Sequence, residues 1–223
     1  MPAQQAVPTA TILIVLAMIS ALELRAQDKP PVGPFPLAAP RPIPPGVNPE
    51  PLTPGDKARL AFQSTFGWRS IGNRLLATSF DQFRGYPEEW QGGTEGFATR
   101  FGSRMGRRAV RNGIRLGTNV AFRLDPRYDR CDCKGFLART GHAWKRVVVS
   151  RTDSGGERFA ISNFAGAYVT PMIAYQWYPD RLNTWGRKFE SGSVNLGWRG
   201  LTNMVREFWP EMKRSIPILR NRN

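Results

Sequence analysis

The chain has 223 residues, with 32 basic and 17 acidic side chains, one histidine and a formal net charge of +15. Mean hydropathy of −0.39 argues against a polytopic membrane protein, while thirteen Phe, seven Trp and five Tyr are enough to build a core. Of the basic residues 26 are arginine, the cation that suits phosphate, lipid headgroups, acidic polysaccharide or nucleic acid. The same excess would arise from the arginine-rich codons of a G+C-rich genome.

Residues 1–26 read as a secretory signal. An apolar run over 11–22 is too short for a comfortable membrane span, and Ala26 suits the last position before cleavage. No Lys or Arg precedes that run, so an uncleaved anchor is the alternative. Residues 27–54 read as a tether: eleven of nineteen prolines fall between Pro30 and Pro54, which favours extended polyproline II. The folded domain is expected over 55–211, followed by a basic tail, 212–223.

Thr53, Pro54 and Asp56 form a helix start. The helix behind them carries Leu60, Phe62, Phe66, Trp68, Ile71, Leu75 and Leu76, with a break near Gly67 or Gly72. A turn-rich segment over 84–93 leads to the most regular element, a helix over about 94–124. There Ala98, Gly102, Gly106, Ala109, Gly113, Gly117 and Ala121 draw a small-residue stripe, and Arg100, Arg104, Arg108, Arg111 and Arg115 draw a second one roughly opposite. Each interior glycine costs about 0.8–1.0 kcal/mol of helix propensity, so close helix packing through Gly102, Gly106, Gly113 and Gly117 is the expected return. The arginines would then face water or an anionic surface. Five arginines at about 2.5–3.5 kcal/mol each exclude a transmembrane role for this helix.

Asp125-Pro126 ends it. Cys131 and Cys133 could bridge, stay reduced or pair with another chain, the Cys-x-Cys loop being tight for a disulfide; no further Cys or His pair completes a metal site. A helix is expected over 136–149 and another over 185–209, with Gly192, Gly197 and Gly200 in it and Phe208-Trp209-Pro210 ending it. Between them, residues 159–178 contain no acid or base apart from tyrosine. A buried helix kinked at Pro171 is the first reading. A membrane-inserted segment is the second, since the transfer balance is near zero once Asn163, Gln176 and Pro171 are counted. A β-hairpin turning at Asp153-Ser154-Gly155-Gly156 is the third.

That tetrapeptide also surrounds the nucleophile of chymotrypsin-type proteases, but the single His142 lies eleven residues upstream with no supporting pattern, and a plain turn has the same composition. No phosphate-binding glycine loop, nucleophile elbow or His-Glu-x-x-His motif occurs. Asp125 and Asp180 are the carboxylates that a periplasmic hydrolase could use.

Tyr86-Pro-Glu-Glu-Trp-x-Gly-Gly-x-Glu-Gly-Phe97, Asp125-Pro-Arg-Tyr128, Arg151-Thr-Asp-Ser-Gly155, Tyr178-Pro-Asp180 and Phe208-Trp-Pro-Glu211 occur in this order behind the leader and tether. Together they resemble a family of uncharacterised exported proteins common in acidobacterial genomes. The resemblance covers roughly residues 52–213 and implies a cell-envelope location without an assigned activity. Where such proteins often carry a His two residues before Asp-Pro-Arg-Tyr, this chain has Arg123.

The expected fold is mainly α, a Gly-rich bundle of four to six helices, with a small β-barrel as the alternative. The expected function is non-catalytic: an exported, periplasmic or outer-envelope protein, membrane-peripheral or membrane-associated. It would bind an anionic membrane surface or envelope polymer through Arg100, Arg104, Arg108, Arg111, Arg115, Arg127 and Tyr128. A partner helix or a homo-oligomer would meet the glycine faces. Neither cofactor nor metal is expected, and export disfavours nucleic acid.

Overall fold

A computed structural model describes residues 42–215, all within the unit Leu37–Asn223. The leader, the first part of the tether and the end of the tail lie outside the described residues. The remainder of the tether is part of the domain. Ile43, 4% exposed, donates its amide to the Tyr128 carbonyl at 2.7 Å and accepts from Arg130 N at 3.1 Å.

Helix α1, Pro54–Phe66, opens with a capping box in which Thr53 and Asp56 satisfy each other's backbone amides. It breaks at Gly67, and α2 follows as Trp68–Phe83. Helix α3 is Gly93–Ala121 and α4 is Phe136–Val148. Strands β1, Val149–Arg151, and β2, Glu157–Phe159, form an antiparallel hairpin about the Asp153–Gly156 turn. Helices α5, Ile161–Ala174, and α6, Trp185–Ser215, complete a mainly α-helical bundle. α3 packs against α1, α2 and α5, while α6 packs against α4 and α5.

Residues 159–178 thus form the end of β2, α5 and a short 3-10 turn, Tyr175–Trp177, with Pro171 inside the helix. Among the described residues no helix is long and apolar enough to cross a membrane. α6 runs past the expected stop at Pro210. A proline removes one intrahelical donor, and the chain continues helical to Ser215.

The polarity of this bundle is inverted. Among the described residues four of the nine buried apolar side chains are alanines, Ala143, Ala160, Ala167 and Ala174, whereas Arg100, Asn112, Asn119, Asn163, Asn203 and Glu207 are buried. Amide side chains join the helices. Asn112 donates to Thr65 Oγ1 at 2.7 Å, Asn163 to the Val147 carbonyl at 2.9 Å and Asn203 to the Ala143 carbonyl at 3.1 Å. The large apolar side chains point outward. On α6 Trp198, Leu201, Val205, Trp209 and Met212 recur at helical spacing and are all exposed, as are Trp185 and Phe189 near its start, and on α2 so are Trp68, Leu75, Leu76, Phe80 and Phe83.

The glycines that admit close approach between helices are not those of the α3 stripe. A Cβ on Gly166 would meet Arg115 Cγ at 2.7 Å, one on Gly200 would meet Trp144 at 2.6 Å, and one on Gly192 would overlap the Tyr168 ring. By contrast Gly102, Gly113 and Gly117 have open space where a Cβ would go, and Gly106 has only Trp177 at 3.7 Å. The small-residue stripe of α3 therefore faces outward, and the arginine stripe faces in. Gly113→Ala and Gly117→Ala are each expected to stabilise the protein by about 0.5–1 kcal/mol through helix propensity. Gly192→Ala is expected to destabilise it by about 1–3 kcal/mol through overpacking. Urea titration of the three variants checks the contrast; equal effects would show that the two glycine sets do not differ.

Candidate functional site: an arginine-lined interior

Because α3 turns its arginines inward, they meet Arg74 from α2 and Arg199 and Arg206 from α6. The uppermost, Arg100, is spent on structure. Only 2% exposed, it donates at 2.8 Å to the carbonyls of Tyr86, Pro87, Trp90 and Gln91 and to Gln82 Oε1. Arg104 pairs with Asp81. Arg107 donates to Ser191 Oγ and sits 5.5 Å over the Tyr175 ring. Arg108 donates to the Ser64 carbonyl at 3.0 Å, and Arg111 to Asn195 Oδ1 at 3.3 Å. The Nε atoms of Arg74, Arg115 and Arg199 are buried with no protein acceptor.

Three cavities share these walls. The first, about 400 Å³, lies between α2, α3, α6 and the 175–178 turn, and Asp81 is its one carboxylate. The second, about 310 Å³, is lined by Arg108, Arg111, Arg115, Arg199 and Arg206, and the third, about 600 Å³, by Arg74, Arg108, Arg115, Arg199 and Arg206 among others; neither has a carboxylate. Arg108 lines all three.

Burial, then mutual repulsion, pushes the guanidinium of Arg111 down to about 9 and those of Arg108 and Arg115 to about 10. Arg199 is pushed well below its usual range by the same two causes, and burial lowers Arg74 and Arg206. The charges acting on Arg111 are those of Arg108, Arg74 and Arg107. A guanidinium does not give up its proton in proteins, so the penalty is carried as free energy that a bound anion relieves. Hydrogen-bond donors fixed on rigid helices around such a space can hold phosphoryl, sulfate or carboxylate oxygens.

The other sequence candidates lie elsewhere. Tyr128, 7% exposed, donates to Glu207 Oε2 at 2.7 Å. Burial and the Glu207 carboxylate push its phenol pKa up. Arg127 clamps Asp125 at 2.8–3.1 Å and donates to the Glu50 carbonyl. Neither Arg127 nor Tyr128 joins the arginine-lined space, and Asp125 is engaged in a buried ion pair. Ser154 Oγ lies 3.0 Å from Thr152 Oγ1, while His142 Nε2 lies 3.0 Å from the Asp129 carbonyl, so the protease-like turn acts as a turn. Cys131 and Cys133 form a disulfide. No cluster of three or more metal-ligating side chains occurs among the described residues.

Arg74, Arg107, Arg199 and Arg206 escaped the sequence reading. The spacing of Arg199 and Arg206, two helical turns apart and so on one face of α6, was the available signal. No protein-family model matches the chain, and neither a curated protein nor a solved structure shows significant similarity to it.

Proposed function

We propose that this is a non-catalytic, membrane-associated protein of the cell envelope that receives anionic groups inside its helical bundle. One observation carries the reading: six or more arginines line three neighbouring cavities in which Asp81 is the one carboxylate. A buried cation without a partner is costly, and a ligand of opposite charge offsets that cost. The outward stripes of α2 and α6 support lipid as the surroundings. They are long, rich in tryptophan and backed by arginine, as in helices that lie in a bilayer interface. The arginine binding expected from the sequence is kept, but it is moved from the outer surface to the interior.

Arg111→Met is the test of the interior. In low-salt buffer the variant is expected to be more stable than wild type by about 1–3 kcal/mol, as when a buried charge is replaced by a hydrophobic residue of similar volume. Inorganic phosphate is expected to raise the wild-type melting temperature and to leave the variant little changed. Loss of stability in Arg111→Met, with no response of wild type to phosphate, would defeat the anion reading. For the exterior, Trp185→Ser and Leu201→Ser are each expected to weaken flotation with phosphatidylcholine–phosphatidylglycerol vesicles about tenfold, the effect of one large apolar side chain. Unchanged flotation, or stripes covered by a second copy in solution, would remove lipid from the proposal.

A further inference from the structure

Resting on the anion reading, we infer that the first cavity binds a phosphorylated sugar, with the phosphoryl group on its arginines and the sugar ring on an aromatic wall. One side of that cavity is cationic, with Arg107, Arg108 and Arg111. The same lining carries Tyr86, Trp90, Tyr175 and Tyr178, drawn from the loop before α3 and the turn after α5. The volume of about 400 Å³ lies in the range of small-molecule sites.

The arrangement of the rings selects the ligand. Trp90 and Tyr178 meet at 4.9 Å with their planes 50° apart, and Tyr175 and Tyr178 at 5.0 Å and 66°. Neither contact is a parallel stack of the kind that sandwiches a flat nucleobase. The four rings, three of them phenols, offer apolar faces and hydroxyl groups together, which suits a pyranose: C–H bonds on one face and hydroxyls around the rim. Burial raises the Tyr86 phenol pKa, so it stays a protonated donor. Arg107, over the Tyr175 ring and bonded to Ser191, joins the cationic lining to the aromatic one, where a phosphate joined to the sugar would fall.

Isothermal titration with D-glucose 1-phosphate, inorganic phosphate, D-glucose and AMP tests the inference. Wild type is expected to bind glucose 1-phosphate about tenfold more tightly than inorganic phosphate, roughly 1.4 kcal/mol. Tyr178→Leu is expected to abolish that advantage while keeping the phosphate affinity, which also reports that the variant is folded. Arg111→Met is expected to lose both ligands. Equal wild-type affinities for the two phosphates would overturn the sugar while leaving the anion reading in place. Tighter binding of AMP would overturn the sugar in favour of a nucleotide. No binding of any phosphate would overturn both. The source of the sugar is read from vesicles. Preference for phosphatidylinositol over phosphatidylglycerol, equal in charge, assigns a lipid headgroup; no preference, with tight glucose 1-phosphate binding, assigns a free sugar phosphate.

Discussion

Replacing Arg100 with methionine is expected to destabilise the protein by about 4 kcal/mol, and to lower its melting temperature by roughly 10 °C. The side chain is almost fully buried and supplies donors to five acceptors, four of them backbone carbonyls of the 86–91 loop. That loop has few ways to satisfy itself, since Pro87 has no amide hydrogen and the carbonyls converge on one point. Methionine fills the volume but leaves the acceptors unpaired, and each orphaned buried group costs about 1–3 kcal/mol. Arg100→Lys should recover part of the loss, because an ammonium has three donors and no planar fork. Thermal melting of the three proteins decides it. A loss below about 1 kcal/mol in Arg100→Met would mean that water serves the loop as well as the guanidinium does. The loop also holds Tyr86 and Trp90, so the same variant removes a wall of the first cavity.

Glu207→Leu is the second large effect, about 3–5 kcal/mol. Glu207 is fully buried on α6 and accepts from the Tyr128 hydroxyl at 2.7 Å, the Cys131 amide at 3.0 Å and Arg139 Nε at 3.4 Å. It therefore joins α6, α4 and the segment between α3 and α4 at one point. Leucine keeps the size, strands the Tyr128 hydroxyl and the Cys131 amide, and leaves Glu211 as the one carboxylate on Arg139. Glu207→Gln retains an acceptor and should cost less. Glu211, on the same arginine but 52% exposed, should cost under about 0.5 kcal/mol when changed to Gln. Urea denaturation ranks the three, and a Glu211 effect as large as that of Glu207 would contradict the assignment.

Most helix starts and stops, the one expected at Pro210 excepted, were legible in this sequence because local chemistry sets them. The Thr53–Asp56 capping box, the break at Gly67, the stop before Pro126 and the turn at Gly155 are decided by neighbouring residues. The two stripes on α3 were legible as stripes. Which of them faces inward was not. Periodicity gives an angle between two faces and no sign, and the usual rule that charge goes outward chose the wrong one. The rule fails here because α2 and α6 bring Arg74, Arg199 and Arg206 to the same space while many of their large apolar side chains stay exposed. Arg100 could not be found either, since its acceptors are main-chain carbonyls and every residue has one. Gly192 and Gly200 stood out in the sequence as small residues; Tyr168 and Trp144, which need the space, became visible only in three dimensions.

The cations that line the first two cavities are all guanidinium groups, with neither histidine nor lysine among them. Arg111, pushed down to about 9, stays charged at neutral and acidic pH. The cationic lining is thus constant in charge as the surrounding pH drifts. Any response to acidity must come from the guest: a phosphate monoester gains its second charge near pH 6, so the ligand rather than the protein would sense the medium.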